Sequence, residues 1–408
     1  MNILYLCDEY PPGPHGGIGT IVRQQARALV RKGHHVVVAG YYDWWYGGEN
    51  ELNDNGVIVY RYRRRLAVNG VKNVNSFGIN ATNKILKSTG LYERDIKNGM
   101  IKYRAFLENL IIKHKIELVE MPDYNDYMRY TRKYIPFPVL PVPVIVKLHG
   151  NITYSSKENN LPLPEHIWQM EHDLLKQATA VASVSKYTAQ KTAAYLEYKK
   201  PVTILYNGID TTVANQKGQK IKGRVVFTGA LSENKGIYQL VKAWNLVHAQ
   251  LPQASLYILG KGPIKKIEKL LDKRSVRTVH FTGHVSHSDV NKYLSTAEVA
   301  VFPSMAESFG LGPIEAMANG TATIYTKKTV GPEIVNDGET GILVDPLDTE
   351  EIADNIILLL KDLTLQQRLA KAGQDFVITH FDINNVIEKN IAFYRSVINN
   401  TFEKIYSI

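Results

Sequence analysis

The chain has 408 residues, a formal net charge of +10 at pH 7 and an isoelectric point near 9.2. This length exceeds what one hydrophobic core usually supports, so we expect two domains. The single cysteine, Cys7, excludes an intrachain disulfide and fits a reducing cytoplasm. No apolar stretch is long enough to span a bilayer, and Asp8 and Glu9 interrupt the first apolar run too early for a signal peptide. We therefore expect a cytoplasmic protein.

The first elements form one supersecondary unit. Asn2 to Cys7 is predicted as a strand, followed by the glycine-rich loop Pro11 to Gly19 and a helix that Gly33 ends. His35 to Ala39 is the next strand, which completes a βαβ unit of a doubly wound sheet. The glycines lie about ten residues beyond the start of the strand and miss the Gly-x-Gly-x-x-Gly spacing, so nicotinamide binding is disfavoured.

The rest of the first half alternates helices and strands after one long irregular segment. Tyr41 to about Gly99 is aromatic and basic with little periodicity, and we expect a functional or mobile loop there. The pattern then predicts helices over 98–113, 165–177 and 186–195 and strands over 115–121, 142–148, 180–185 and 202–206. Thr211 to Lys222 has few apolar residues, which indicates an interdomain linker.

The second half repeats the alternation. Strands are predicted over 224–228, 255–259, 276–281, 298–302, 321–325 and 341–344, with helices between them and at 349–361, 365–373 and 383–399. The closing helix is long enough to cross back to the first domain. Two such domains would form a cleft, with ligands at the carboxyl ends of the strands.

One stretch, Val301 to Gly320, carries the strongest functional signal. Pro303 ends the strand before it, and Pro313 and Gly320 are predicted at the first helical position and at the helix stop. The backbone N–H groups of Glu307 to Leu311 can converge on the helix N-terminus, which suits an anion. Glu315 is predicted in the first helical turn, where a glutamate often only complements the helix dipole.

The pattern Pro-Ser-x-x-Glu-Ser-Phe-Gly-Leu-x-x-x-Glu-Ala-Met-Ala-x-Gly, which starts at Pro303, resembles the donor-sugar motif of retaining nucleotide-sugar glycosyltransferases with the GT-B fold. More narrowly, it is similar to glycosyltransferase family 4 (glycosyl transferases group 1), the large family that builds bacterial surface glycans, glycolipids and sucrose. The resemblance implies that Glu307 holds sugar hydroxyls and Glu315 the donor ribose. It also implies that the loop Ser308, Phe309, Gly310 and Leu311 contacts the sugar and phosphate.

A second candidate site surrounds Lys235. It follows the strand end at Gly229 and lies at a predicted helix N-terminus, where the dipole disfavours a cation unless an anion is bound. A surface lysine that reaches solvent is the alternative. The family pattern is Gly-Arg-Leu followed by Lys-Gly, with both cations on the donor diphosphate, but Ala230 stands in the arginine position. Donor affinity or full activity is therefore in question.

Further candidates come from the resemblance. Gly16 and Gly17 are similar to the loop whose amides reach the donor phosphate, and Val285 lies in a turn that places backbone atoms against the nucleobase. His149 ends a strand, and the resemblance makes it the cleft histidine near the transferred sugar. A lone histidine of this kind is more often a capped core residue.

The combined expectation is an α/β protein of GT-B fold with two doubly wound Rossmann-like domains facing across a cleft. Residues 1–208, with about 390–408 crossing back, would bind the acceptor, and residues 209–389 would bind the donor. The enzyme would transfer a sugar with retention from a nucleoside-diphosphate sugar to a hydroxyl acceptor, in surface polysaccharide or glycolipid synthesis. The alternatives are a non-catalytic nucleotide-sugar-binding subunit and a phosphorylase or epimerase of the same fold.

Cofactor and partner expectations follow from charge. The sequence contains no Asp-x-Asp pair, so no metal or other cofactor is expected and Lys235 with helix amides would neutralise the leaving group. Nucleic acid, an anionic membrane surface and phosphorylated substrates are the three partners that the positive charge suits, and no nucleic-acid fold signature accompanies the basic residues. The segments Tyr60–Arg65 and Arg129–Tyr134 mix cations with tyrosines, which suits peripheral docking on an anionic membrane near a sugar or lipid-linked acceptor. A solvated basic face is the alternative.

Overall fold

The computed structural model describes residues 1–43, 46, 48–63, 90–214 and 218–406. The chain divides into two compact units. Unit 1 comprises Met1–Val184, Thr188–Gly208 and Val386–Ile408, and unit 2 comprises Ser185–Tyr187 and Ile209–Asn385. Both are α/β, each with one mainly parallel sheet, as the sequence predicted.

Unit 1 contains an eight-stranded sheet in the order β3-β4-β2-β1-β5-β6-β7-β8. All of its neighbouring strands are parallel except the β3–β4 pair. The strands are β1 Asn2–Leu6, β2 His35–Tyr42, β3 Glu51–Asp54, β4 Val57–Arg63, β5 Leu118–Pro122, β6 Val144–Leu148, β7 Ala180–Ser183 and β8 Val202–Ile204. The central strands are buried on both faces, which explains their continuous apolar runs.

Helices cover this sheet. In unit 1 they are α1 Gly17–Arg31, α2 Leu91–Lys113, α3 Ile152–Glu158, α4 Glu165–Gln177 and α5 Lys186–Tyr195, whose first two residues group with unit 2. Helix α1 buries Ile21, Val22 and Leu29 along one face, so its 3.6-residue periodicity is satisfied by packing rather than by propensity alone. Gly33 follows the helix in the left-handed conformation, with φ +82°.

The segment 41–99 differs from the irregular loop that we predicted. It contains the antiparallel hairpin β3–β4, and α2 begins at Leu91 rather than near residue 98. Asn55 and Gly56 form the hairpin turn with φ +56° and +90°, the left-handed pair that Asn-Gly favours. The turn was therefore readable from the sequence. Residues 64–89 lie outside the described residues.

Unit 2 contains a six-stranded, fully parallel sheet in the order β11-β10-β9-β12-β13-β14. The strands are β9 Arg224–Thr228, β10 Ser255–Leu259, β11 Val279–Gly283, β12 Val299–Phe302, β13 Ala322–Thr326 and β14 Ile342–Val344. The strand order reverses between β9 and β12. In open parallel sheets this reversal opens a crevice at the carboxyl ends of the strands, where ligands bind.

The helices of unit 2 pack on both faces of this sheet, around a core that includes Trp244, Ile258 and Ile324. They are α6 Thr211–Ala214, α7 Ile237–Gln250, α8 Ile264–Glu268, α9 His287–Thr296, α10 Leu311–Ala318, α11 Gly331–Ile334, α12 Thr349–Lys361 and α13 Leu363–Phe381. Helix α13 is longer than predicted. The predicted linker 211–222 belongs to unit 2, where the Ile221 amide donates to the Thr296 carbonyl over 2.8 Å.

The last helix, α14 Ile383–Tyr406, belongs to unit 1 from Val386 onward. Its Tyr394 is fully buried and donates a 2.5 Å hydrogen bond to Glu120 of β5, while its hydroxyl lies 2.8 Å from that of Tyr5. This buried polar contact favours one register of the helix, because slipping it would remove a hydrogen bond from the buried Glu120 carboxylate, whose ion-pair partner Lys147 lies 4.0 Å away. Within the described parts of the chain, no helix is both long and apolar enough to span a bilayer.

Candidate functional site

Helix α10 lies at the centre of the predicted donor site, but it begins earlier than expected. Its N-cap is Gly310 with φ +87°, and a Cβ there would stand 2.3 Å from the Tyr325 hydroxyl oxygen, so glycine is required. Leu311 is already helical, so Pro313 is the third helical residue and not the first. Glu315 therefore lies in the second helical turn and not in the first turn that we predicted. Gly320 follows the helix with φ +62°, as predicted.

Glu315 is largely buried, and burial raises the pKa of its carboxyl to about 7. The nearest cationic candidate, His287, has its Nδ1 atom 3.9 Å from Oε1 of Glu315. Burial also lowers the pKa of His287, so this histidine is mostly neutral at pH 7. Near neutral pH the Glu315 carboxyl therefore exists in both protonation states. It can donate a hydrogen bond to a sugar hydroxyl when protonated and accept one from it when ionised.

Lys235 and Glu307, two predicted catalytic residues, form an ion pair in unit 2. Lys235 ends a short 3₁₀ turn, Glu233–Lys235, and Gly236 then begins α7 with φ +69°. A Cβ on Gly236 would stand 1.8 Å from the Pro303 carbonyl oxygen, which shows how closely this turn packs on the loop after β12. The packing brings a cation and a carboxylate together from positions 72 residues apart in sequence.

Two further predicted residues of unit 2 lie in strand-end turns. Gly229 follows β9 with φ +143°, and its amide donates to the Leu259 carbonyl over 2.9 Å. Ala230, next in the chain, is exposed, so no side chain replaces the missing arginine at that position. Val285 follows β11 and is partly exposed. Both turns therefore lie at the carboxyl ends of strands, where ligands bind in sheets of this type.

The loop before α10 is held by neighbouring elements of unit 2. The Ser308 carbonyl accepts a 2.7 Å hydrogen bond from the Ser185 hydroxyl, and Phe309 is buried with its ring edge-on to Phe381. Phe309 is therefore an anchor of the loop through its side chain. Its predicted role in donor binding would have to use the backbone.

In unit 1 the glycine-rich loop contains a carboxylate that the sequence analysis did not assign to the site. Glu9 accepts hydrogen bonds from the amides of Gly16, over 3.0 Å, and Gly19, over 2.8 Å. Its negative charge thus lies at the N-terminus of α1, where the helix dipole stabilises an anion. A Cβ on Gly17 would meet no atom within 4 Å, so the space beside this predicted residue is open.

His149 lies directly after β6, in unit 1. Burial, with a smaller contribution from the charge of Lys147, lowers the pKa of its ring to about 3. The imidazole is therefore neutral at physiological pH and can act as a hydrogen-bonding group but not as a cation. Its backbone amide donates over 2.8 Å to Asp123, which follows β5.

Two buried carboxylates, Asp123 and Glu171, accept backbone amides of the segment that follows β6, and Asp123 accepts that of this histidine. Burial raises the pKa of each carboxyl to about 7. Glu171 accepts the amides of Ile152 and Thr153 over 2.8 and 2.9 Å, and thereby caps α3. Sequence reasoning missed both residues, although an aspartate directly after a buried strand was a usable signal for Asp123.

The first predicted basic patch is not the surface that we expected. Arg61 is 3% exposed and donates to the carbonyls of Tyr10, Pro12 and Glu49, over 3.2, 2.7 and 3.0 Å. Arg63 likewise donates to the Tyr46 and Gly48 carbonyls. Buried carbonyls attract these guanidinium groups because each arginine supplies five donors, so the two arginines stabilise loops. Arg64 and Arg65 lie outside the described residues. In the second segment, Arg132 and Lys133 are exposed.

Family models match both halves of the chain. The model "Glycosyltransferase Family 4" covers residues 15–213, and "Glycosyl transferases group 1" covers residues 211–376. The two matches meet close to the boundary between the structural units. Together they extend over most of the chain, as the motif resemblance implied.

Relatives that align with almost the whole chain are named as a glycogen synthase and a glycosyltransferase. A glycogen synthase of Mycobacterium tuberculosis is 23% identical over 97% of this chain and 94% of its own length. An uncharacterized glycosyltransferase of Methanocaldococcus jannaschii is 25% identical over 97% of this chain and 98% of its own.

Among solved structures, sucrose-phosphate synthase from Thermosynechococcus elongatus has a TM-score of 0.74 at 20% identity and covers 98% of this chain and 100% of its own. Anabaena HepE in complex with UDP and glucose has a TM-score of 0.67 at 18% identity and covers 97% and 100%. These likenesses establish the fold. With the family matches, they show that the chain belongs to the family 4, group 1 glycosyltransferases of GT-B fold.

Proposed function

We propose that this glycosyltransferase moves a sugar from a nucleoside-diphosphate sugar to a hydroxyl acceptor with retention at the anomeric carbon. The observation that carries the proposal is the Lys235–Glu307 ion pair between the starts of α7 and α10. Glu307 balances the cation at this helix N-terminus, and a bound diphosphate would replace Glu307 as the counter-ion of Lys235. HepE, whose complexes contain UDP, UDP-glucose and UDP with glucose, supports a uridine nucleotide as the first donor to test.

In this proposal the residues of unit 2 hold the donor. Lys235 would leave Glu307 to contact the diphosphate, and Glu307 would then accept from sugar hydroxyls. Glu315 would hold the ribose, and the amides of Gly310 and Leu311 would lie near the sugar and phosphate. Once Lys235 contacts the diphosphate, its positive charge would stabilise the charge that develops on the leaving group, and such electrostatic stabilisation is usually the largest contribution to catalysis. The acceptor hydroxyl would attack the face that the diphosphate leaves.

The residues of unit 1 would complete the reaction. The neutral ring of His149 is suited to accept or donate one hydrogen bond at the transferred sugar. Gly17, beside which the space is open, would approach the donor phosphate through its backbone, and the Gly16 amide would do so after exchanging Glu9 for the phosphate. Exclusion of water would limit hydrolysis of the donor, which is the wasteful side reaction. Surface polysaccharide or glycolipid synthesis is the process that we propose for the product.

Release of nucleoside diphosphate tests this function. The wild-type protein is incubated with UDP-sugars, GDP-sugars and ADP-sugars, each with and without a panel of sugar acceptors, and the anomeric configuration of the product is read by NMR. We expect acceptor-dependent release and retained configuration. Activity that persists in EDTA would support the metal-independent chemistry, whereas loss in EDTA that Mg²⁺ or Mn²⁺ restores would contradict it.

The alternative, a non-catalytic nucleotide-sugar-binding subunit, is motivated by Ala230, which is exposed and uncharged. Such a protein would bind a nucleotide sugar but release no diphosphate with any acceptor. Thermal unfolding with each nucleotide separates binding from turnover, because a ligand at about 100 times its dissociation constant adds about 2.7 kcal/mol to the unfolding free energy.

A further inference from the structure

A cavity of about 450 Å³ in unit 1 lies at the carboxyl ends of its central strands. Its volume is within the range of about 300–1,000 Å³ that small-molecule sites occupy. Its wall includes Gly16, Gly17 and Gly150, which belong to the loops where family resemblance places the donor phosphate and the transferred sugar. A molecule in this cavity would therefore lie beside these loops of unit 1.

The charge of the cavity is opposite to that of the whole chain. Among the residues that the structure describes, four carboxylates line it, those of Asp8, Glu9, Asp43 and Asp126, together with one cation, Arg129. These described side chains carry a formal charge of −4 + 1 = −3, whereas the chain carries +10. Walls of low dielectric strengthen the field of such charges inside a cleft. An anion that enters the cavity away from the backbone amides of Gly16 and Gly17 would meet net repulsion from these described charges.

The positive groups that the structure describes near the cavity already form hydrogen bonds within the protein. Arg129 donates to the Tyr124 hydroxyl over 3.0 Å and reaches Asp126 over 3.4 Å. Arg61 and Arg63 stand behind the wall, where their guanidinium groups donate to backbone carbonyls, including those of Pro12 and Gly48. None of these arrangements presents a cluster of cations to a phosphate.

Four tyrosines supply the other half of the wall: Tyr41, Tyr46, Tyr124 and Tyr130. Burial raises the pKa of Tyr46 and of Tyr124 to about 12, so these phenols add no negative charge near neutral pH. Tyrosine rings offer an apolar face and a polar tip in one side chain. Carboxylates accept strongly from hydroxyl and ammonium groups. A wall of rings and carboxylates matches a carbohydrate, whose ring faces are apolar and whose rim is hydroxylated.

A metal site is the other use of clustered carboxylates. Across the residues that the structure describes, no three His, Cys, Asp or Glu side chains are grouped to hold an ion. We propose that this cavity is the acceptor site and that its acceptor is a carbohydrate without phosphate or carboxylate groups, which is either neutral or amine-bearing. The inference rests on the proposed glycosyl transfer and specifies its acceptor class.

Direct binding tests the acceptor class without turnover. Glucose, galactose and mannose are each offered to the wild-type protein as the free sugar, the 2-amino sugar and the 6-phosphate, and binding is read by saturation-transfer NMR. We expect the free and amino forms of at least one sugar to bind about tenfold more tightly than its 6-phosphate. Equal or tighter binding of the 6-phosphates would overturn the proposal.

A variant pair assigns the effect to this cavity. Asp126→Asn removes one partly exposed lining charge with little change of shape, and we expect the preference for amino sugar over phosphate to fall several-fold. Glu108→Gln, on the exposed face of α2, is the matched control and should leave the preference unchanged. If Asp126→Asn leaves it unchanged too, the cavity is not the binding place.

Turnover separates this proposal from the proposed function. With the donor that binds, transfer to neutral or amino sugars and not to phosphorylated ones would support both. Transfer confined to phosphorylated or carboxylated acceptors would leave the glycosyltransferase reaction standing and overturn the acceptor class. No diphosphate release with any acceptor, together with carbohydrate bound as above, would overturn the transfer reaction while the acceptor-class preference stands.

Discussion

Two regions of this protein contain helices that begin after a glycine. The groups beside the helix N-termini carry different charges in the two regions. In unit 1, helix α1 begins after Gly16, and the carboxylate of Glu9 accepts the amides of Gly16 and Gly19. In unit 2, helices α7 and α10 begin after Gly236 and Gly310, which have no side chain to accept a hydrogen bond. The charged group beside them is Lys235, paired with Glu307.

The difference teaches that loop shape alone does not make a phosphate site. A glycine-rich turn before a helix presents amides in either unit, but the charge beside it decides what can bind. Where the chain supplies its own anion, an incoming phosphate must compete with it. In unit 2 a phosphate must displace the Glu307 carboxylate, but it then gains the Lys235 cation as a partner. The comparison predicts that the donor diphosphate binds in unit 2. It also predicts that the acceptor cavity of unit 1 disfavours anionic molecules.

The largest expected effect comes from removing the cation of unit 2. Lys235→Ala should lower turnover by roughly 10²–10³, the scale for losing one preorganised charge-stabilising group. Steady-state kinetics of nucleoside diphosphate release measures it. Lys242→Ala, an exposed lysine on the same helix α7, is the control and should leave turnover unchanged. Unchanged turnover in Lys235→Ala would show that the diphosphate is held elsewhere.

The second effect concerns Glu315, whose carboxyl has a pKa of about 7 because it is buried. An unfolded glutamate ionises near pH 4.5, whereas the folded one stays protonated until about pH 7, so this group withdraws stability as the pH rises across that interval. Glu315→Gln removes that cost. We expect its unfolding free energy to exceed that of the wild type by on the order of 1–3 kcal/mol at pH 8.

Urea unfolding at several pH values measures the change in Glu315→Gln. The gain should shrink toward zero below about pH 4.5, because both states of the wild-type carboxyl are then protonated. Donor affinity should fall in the same variant if Glu315 holds the ribose. A pH-independent gain in stability would contradict the raised pKa, whereas unchanged donor affinity would remove Glu315 from the donor site.

The third effect restores the cation that the family pattern places at position 230. Ala230 is exposed, so an arginine can be accommodated without repacking, and Ala230→Arg should tighten nucleoside diphosphate binding by about tenfold. Isothermal titration with the nucleoside diphosphate measures it. Ala230→Met adds comparable length without charge and should not tighten binding. If arginine has no effect, another group already compensates at this position.

The fourth prediction concerns a variant that removes the anion at the N-terminus of α1 in unit 1. Glu9→Ala removes the carboxylate from the amides of Gly16 and Gly19, and we expect about 1 kcal/mol of lost stability. Inorganic phosphate should then stabilise Glu9→Ala more than the wild type, because the vacated amides accept an anion. Glu9→Gln keeps an acceptor and should lose less. Equal phosphate effects in wild type and Glu9→Ala would break the comparison.

The smallest effect concerns the membrane proposal, which now rests on the segment 129–134. Arg132 and Lys133 are exposed there, and a basic residue near an anionic leaflet contributes about 1 kcal/mol. Lys133→Gln alone should weaken binding to anionic liposomes about fivefold at low salt, read by sedimentation, which is the change that about 1 kcal/mol gives. Neutralising the buried Arg61 would instead destabilise the fold, so it is not a suitable probe. Wild-type protein that stays in solution with liposomes would refute docking.

Local signals in the sequence determined much of the architecture. Apolar periodicity, together with proline and glycine residues that end elements, predicted several elements with the bounds that the structure has. These are helices α4, α5 and α12 and strands β9 and β10. The motif around Glu307 and the turn at Lys235 identified the family because they are contiguous in the chain. Such features are encoded within about ten residues, which is the reach of propensity, capping and turn chemistry.

Only the tertiary structure decided the charges that the sites present. Glu9 and Asp126 are 117 positions apart, yet they line one cavity because parallel strands end at the same edge of the sheet. Arg61, part of a basic run in the sequence, is buried on backbone carbonyls. The net charge of a chain is a sum over residues, whereas the charge of a site depends on which residues folding brings together and which it buries.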